Sequence, residues 1–175
     1  MRKRLAALAI AAAPIATLTL GAVPAHAASN QYNVAVIFWN TALPGNYCLD
    51  IPGNNAVSGE QLQAWACNDS AAQSWNVIYT DSYHFELQSR TNTNLCANNW
   101  QGGDNTGNDI KLYTCNGNAD GTWNSVHAGS NMQIQPRSAL NTCLNIWGGL
   151  GSGNPAKLYQ CGDWSNEDVM INGVS

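Results

Sequence analysis

Asp50 lies two residues after Cys48, and Trp65 and Gln63 lie two and four residues before Cys67. Side chains two apart on a strand share a face. If a Cys48–Cys67 bond pins two extended segments side by side, a carboxylate, an amide and an indole meet in one neighbourhood. The carboxylate accepts charge-assisted hydrogen bonds from adjacent hydroxyls. The amide adds a donor and an acceptor, and the aromatic face covers an apolar C–H patch. Together these groups suit non-covalent recognition of a sugar ring. The residues alone leave blander roles open: Asp50 as a turn cap and Trp65 as a packing residue.

The skeleton around these residues recurs. Cys96 and Cys115, then Cys143 and Cys161, repeat the pair Cys48 and Cys67. The first cysteines lie 48 and 47 residues apart and the second 48 and 46. Trp123 follows Cys115 by eight residues, as Trp75 follows Cys67, whereas Val169 holds that place after Cys161. A period near 47 residues means three copies of one supersecondary unit. Six cysteines allow 15 pairings in principle. A pair inside each copy treats the copies alike, which predicts Cys48–Cys67, Cys96–Cys115 and Cys143–Cys161. Each closes a loop worth roughly 3 kcal/mol of chain entropy. The cysteine spacing is far from a zinc pattern, and no metal or cofactor is expected.

The elements that must position these residues read as strands. Val34–Trp39 is expected to form one buried strand. His84–Gln88 and Asn131–Gln135 alternate with period two. Asn/Gly/Pro clusters punctuate them, as at Pro52-Gly53-Asn54-Asn55 and Gly102-Gly103-Asp104-Asn105. The segments before the second cysteines align without gaps. They start at Gly59, Gly107 and Gly153, where a turn with positive φ is expected. Within them Leu62, Ile110 and Ala156 alternate with Gln63, Lys111 and Lys157, giving an apolar and a polar face. Four short strands per copy make twelve around a pseudo-threefold axis. Trp75 and Trp123 are expected in the shared core.

Residues 1–27 read as a secretory signal peptide. Arg2, Lys3 and Arg4 precede an uncharged run from Leu5 to Val23, and Ala25-His26-Ala27 fits a cleavage site. The mature domain is then 28–175, with copies at about 32–79, 80–127 and 128–175, and is expected to be extracellular, where disulfides persist. With four cations against eleven acids, residues 28–175 carry a net charge of −7. That excludes nucleic acid as the natural partner, because phosphate binding needs clustered Lys and Arg. No membrane insertion is expected after cleavage. The sequence carries no nucleophile-elbow motif. Asp50 and Glu60 are the only carboxylate pair near the candidate site, so no enzyme activity is expected.

The motifs Cys48-Leu49-Asp50, Gln63-Ala64-Trp65-Ala66-Cys67 and Gln73-Ser74-Trp75 resemble those of the ricin-type lectins, whose fold is the β-trefoil with Gln-x-Trp repeats. The resemblance covers about Tyr32 to the C-terminus. It weakens along the chain, since the Gln-x-Trp position reads Gly121-Thr122-Trp123 and then Glu167-Asp168-Val169. It implies an all-β trefoil that binds carbohydrate without catalysis. It also implies sugar-contacting positions, residue by residue. In the first copy these are Asp50, Gln63, Trp65 and Gln73, with Ala72 where the family often has Asn. In the second they are Asn98, Tyr113 and Asp120, and in the third Asn145, Tyr159 and Asn166. Lys111 and Lys157 replace the Gln of the first copy. Trp100 and Trp147, four residues after a first cysteine, are either extra stacking platforms or covers for the barrel opening. The other class consistent with this fold is a trefoil that binds protein, such as a protease inhibitor or a toxin's targeting subunit.

Overall fold

The computed structural model describes residues 28–39, 45–129 and 131–171. The expected signal peptide and its cleavage site lie outside them. The first copy contains β1 (Gln31–Val34), β2 (Val36–Phe38), β3 (Tyr47–Asp50), β4 (Gln63–Ala66) and β5 (Trp75–Tyr79). The second contains β6 (His84–Ser89), β7 (Leu95–Asn99), β8 (Ile110–Thr114) and β9 (Trp123–Ala128). The third contains β10 (Asn131–Pro136), β11 (Thr142–Ile146), β12 (Ala156–Gln160) and β13 (Val169–Ile171). In every copy the strand that carries the first cysteine and the strand that ends just before the second form an antiparallel hairpin, β3–β4, β7–β8 and β11–β12.

The thirteen strands among the described residues reduce to the expected twelve. In the second copy β6 pairs with β9 at its start and meets β7 at its end. In the first copy that work is divided: β1 pairs with β5, and β2 pairs with β3 and β13. The expected continuous strand over Val34–Trp39 is therefore corrected to two strands broken at Ala35. A register shift between Gln31 and Val34, with Asn33 at φ 59°, bends the chain there. Trp39, expected inside, is 55% exposed.

The three predicted disulfides are formed, with Cα–Cα separations of 5.1, 5.0 and 5.0 Å. Trp75 and Trp123 are fully buried, and each indole N–H donates to a carbonyl of its own hairpin, Leu49 O at 3.1 Å and Ala97 O at 3.0 Å. Burial without such a bond would leave a costly orphan donor. Val169 fills the equivalent place in the third copy.

The copies interlock cyclically. Gly59 N donates to Leu112 O, Gly107 N to Leu158 O and Gly153 N to Ala64 O, each at 2.8 Å. The three glycines sit at φ 90°, 96° and 90°, as their alignment predicts. Each also faces an aromatic of another copy. A Cβ would stand 3.7 Å from Trp100 at Gly59, 3.3 Å from Trp147 at Gly107 and 4.0 Å from Trp65 at Gly153. Where the copies converge, the Gln61 side chain donates to Leu62 O, Ile110 O and Ala156 O at 2.9, 3.0 and 2.8 Å. One amide thus ties all three copies together. Asp109 and Pro155 stand at its aligned positions.

Candidate functional site

In the first copy the strand register brings the expected side chains together. Asp50 closes β3 opposite Gln63, which opens β4, and Trp65 stands opposite Cys48. Gln63 Nε2 donates to Asp50 Oδ1 at 2.8 Å. Asp50 is 5% exposed and Trp65 42%. The carboxylate therefore forms the floor and the indole a wall of an open cleft of about 440 Å³. Asn68 and Ser70 from the loop after Cys67 complete it, and Ala72 lines it without a polar side chain. The Ala72 carbonyl accepts from Ile51 N, as Asp120 O accepts from Asn99 N and Asn166 O from Ile146 N. The backbone repeats faithfully here while its side chains differ.

Gln73 does not join this cleft. It is 2% exposed, donates to Ala66 O at 3.1 Å and accepts from Asn68 N at 2.9 Å. Both ends are occupied in holding the loop after the disulfide. The other copies meet the same need differently. At Gly121 a Cβ would lie 3.1 Å from Asn98 and 3.2 Å from Asn118, so any side chain there would press on both amides. Glu86 of β6 reaches in instead and accepts from Asn116 N at 3.0 Å and Gly117 N at 2.8 Å. In the third copy Glu167 accepts from Gly162 N at 3.0 Å.

The second copy collects its predicted residues with less open polar capacity. Asn98 faces Lys111 and Cys96 faces Tyr113 across β7–β8. The Asn98 amide donates to Asn99 O and accepts from Gly121 N, both at 3.1 Å. Tyr113 is 40% exposed and meets Trp100 edge-on at 5.8 Å. Lys111 Nζ lies 5.3 Å from the Trp100 ring centre and 3.7 Å from Asp109, so it covers the indole rather than the position of a ligand. Asp120 stands against the backbone of Gly102.

The third copy opens again. Asn145, Asn166, Tyr159, Trp147 and Trp164 line a cleft of about 270 Å³. Tyr159 and Trp147 are 41% and 40% exposed and stand edge-on at 6.3 Å. Lys157 repeats the arrangement of Lys111, with its Nζ over the Trp147 ring at 5.4 Å and 2.5 Å from Asp109 Oδ1. Asn166 Nδ2 donates to Asn145 Oδ1 at 3.1 Å and Ile146 O at 2.8 Å. Asn145 Nδ2 in turn donates to Glu167 Oε1 at 2.9 Å. Glu167 is fully buried. Burial, with the adjacent Asp168 charge adding to it, pushes its carboxyl up to about 7 against the pull of its two hydrogen bonds. Trp164, 54% exposed, was not singled out from the sequence. Its place three residues after the second cysteine, matching Ser70 in the first cleft, was the available signal.

Thus two clefts join amide or carboxylate hydrogen bonding to exposed aromatic faces, the combination a polyhydroxylated ring requires. Comparisons with known proteins agree with the fold. The designed threefold-symmetric protein ThreeFoil is 13% identical with a TM-score of 0.68, over 79% of this chain and 96% of that one. The C-half of the earthworm R-type lectin, solved with GalNAc, is 18% identical with a TM-score of 0.57, over 79% of this chain and 97% of that one. An exo-β-1,3-galactanase from Clostridium thermocellum is 13% identical with a TM-score of 0.69, over 79% of this chain but 30% of the enzyme. No curated protein sequence matches the chain. Residues 40–167 match the family described as the ricin-type beta-trefoil lectin domain. The chain belongs to that family.

Proposed function

We propose that this protein is a secreted, non-catalytic lectin that binds glycans through its first and third clefts. The observation that carries the reading is the Asp50–Gln63 pair lying beneath the exposed face of Trp65 in an open cleft. Asp50 and Gln63 meet sugar hydroxyls, and the indole covers the ring's C–H face. The third cleft offers Asn145 and Asn166 in place of the acid, with three aromatics around them. Two sites on one rigid unit give avidity on repeated glycans.

Asp50 is the one carboxylate among the residues lining the first cleft, and none lines the third. A glycosidase needs two. Glu60, the other acid close in sequence, is bonded to Asn55 at 2.8 Å. Export rests on the expected signal at residues 1–27 and on the three disulfides.

A glycan array read with the disulfide-bonded protein, Asp50→Ala and Trp65→Ala tests this. The reading expects glycan binding that both substitutions weaken while the melting temperature holds. Absence of binding to any glycan by correctly oxidised protein would replace it with the protein-binding trefoil.

A further inference from the structure

The third copy differs from the others in what lies under its cleft. At the position of Gln73 and Gly121 it carries Glu167, a carboxylate with no exposure. A continuous chain of hydrogen bonds runs from that carboxylate to the cleft: Glu167 to Asn145, and Asn145 to Asn166. Both asparagines line the cleft. We propose that Glu167 is a positioning residue that fixes which ends of the Asn145 and Asn166 amides face the third cleft, so that proton uptake by Glu167 reverses the hydrogen-bonding polarity of that site. The recognition part of this rests on the glycan-binding reading above.

The geometry dictates the two states. Ionised Glu167 has only acceptor oxygens, and it takes the Asn145 NH2 at Oε1 and the Gly162 N–H at Oε2. Asn145 must then turn its oxygen to Asn166, whose NH2 is held by Asn145 Oδ1 and Ile146 O. The Asn166 oxygen is left as an acceptor for ligand. Neutral Glu167 keeps the Gly162 bond and turns an O–H toward Asn145. The Asn145 amide reverses to accept it and presents its NH2 to Asn166. Asn166 reverses in turn and offers an NH2 to the ligand. Because the Asn166 NH2 stands 2.8 Å from Ile146 O, Asn166 swings clear of that carbonyl as it reverses, so that two oxygens do not face each other. Ile146 O retains the Gly149 N–H at 3.1 Å, so no carbonyl is orphaned. The proton stays on Glu167 throughout, and only amide orientations change.

The groups around Glu167 permit the change. From β11 it faces the neutral Asn145, and from the loop after Cys161 the Gly162 N–H. Gln133 of β10 donates to the Gly162 carbonyl and holds that loop in place. The charged neighbours are acids. Asp168 is adjacent, and Asn131 bridges it to Asp163 at 2.9 and 3.3 Å. The Asp168 charge opposes a negative charge on Glu167, and Asp163 acts in the same sense on Asp168. The second copy shows the same rule from the other side. There a backbone donor, Gly121 N, takes the place of the acid, and the oxygen of Asn98 turns to it.

The two states select different sugars. An acceptor at Asn166 suits a ring hydroxyl. A donor there suits the carbonyl of an acetamido group or the carboxylate of an acidic sugar.

The test starts with the ligand-free, disulfide-bonded protein. NMR follows the Glu167 carboxyl carbon and the Asn145 and Asn166 side-chain amides from about pH 5 to about 9. All three signals are expected to move with one shared midpoint. Titration of Glu167 with still amides would reduce it to a structural latch and overturn the proposal. Glu167→Gln keeps the acceptor for Gly162 and places an NH2 toward Asn145 in a fixed way. It should abolish the pH response of both amides, and a persisting response would contradict the mechanism. Galactose and N-acetylgalactosamine are then titrated against the Asp50→Ala/Trp65→Ala protein at about pH 5.5 and about 8.5. The ratio of affinities should shift toward the acetamido sugar at low pH by about three- to tenfold. An unchanged ratio would overturn the selectivity. Failure of both sugars to bind would count against the third cleft as a glycan site, while the ligand-free amide titration still decides the positioning role.

Discussion

In the first copy the acid lies in the cleft and a neutral amide lies beneath it, as Asp50 and Gln73. In the third copy the order is inverted: neutral Asn145 and Asn166 line the cleft and the acid, Glu167, lies beneath. The hairpins, the disulfides and the loop anchored after the second cysteine are alike in both. The difference shows that the fold fixes positions and leaves the hydrogen-bonding character of each cleft free. A carboxylate in the cleft itself meets the ligand directly. A carboxylate under a neutral relay acts through its neighbours and is sensitive to protons.

The largest effect separates core from cleft. Trp75→Ala should destabilise the protein by about 3–5 kcal/mol in urea unfolding, because it empties a fully buried site and removes the indole bond to Leu49 O. Trp65→Ala, at a half-exposed wall, should change stability by about 0.5 kcal/mol or less and act on binding instead. Equal destabilisation by the two would mean that Trp65 is a packing residue.

Next comes the acid in the cleft. Asp50→Ala should weaken glycan binding at the first cleft by about ten- to a hundredfold in calorimetry, the worth of a charge-assisted hydrogen bond. Asp50→Asn, which keeps the shape, should recover part of that loss.

The acid beneath the third cleft has the opposite signature. The Glu167 carboxyl is raised in the folded protein to about 7, so the unfolded chain ionises first. Its stabilising contribution is full below the unfolded value of about 4.5 and declines as pH rises to about 7. Glu167→Gln should therefore gain on the parent protein as pH rises through that window, by on the order of 1–3 kcal/mol in unfolding free energy. A difference independent of pH would show that the Glu167 carboxyl titrates alike in the folded and unfolded chain.

The smallest effect comes from Asp104, which links the second copy to the third. It accepts from Leu140 N, Asn141 N, Asn141 Nδ2 and Thr142 Oγ1, at 2.7 to 3.2 Å. Burial alone would raise its carboxyl, but the four hydrogen bonds together hold it below the ordinary value. Its contribution is present above the unfolded carboxylate range and is lost as pH falls through the lowered one. Asp104→Asn should cost about 1 kcal/mol at neutral pH and flatten the acid limb of the stability curve.

The trefoil was legible because it is written three times. Cysteine spacing, the aligned Gly59, Gly107 and Gly153, and the alternation around Leu62 and Ile110 all answer to local geometry, which repetition makes visible. The break at Ala35 was not legible, since Val34–Phe38 reads as continuous apolar sequence and the bend depends on Asn33 and on pairing to two different strands. Asp50, Gln63 and Trp65 could be grouped because period-two alternation and one disulfide determine their neighbourhood. Gln73 was misplaced for the same reason that Trp164 was overlooked. Both lie around an irregular loop, where direction is set by which backbone N–H needs an acceptor. The substitution of Glu86 for the absent side chain at Gly121 crosses from β6 to the far loop, and no pattern within a single copy foretells it.

Recognition at the first cleft is decided by the indole N–H signals of the oxidised protein, titrated with a glycan that the array identifies. Trp65 should shift with saturation in the parent protein and not in Asp50→Ala. Trp147 and Trp164 should shift as a second set, while the buried Trp75 and Trp123 and the Trp100 of the second copy stay in place. Saturable binding that leaves Trp65 unmoved and shifts Trp100 would contradict recognition at the first cleft, because the sugar would then occupy the copy whose Asn98 amide is already bonded to backbone at both ends.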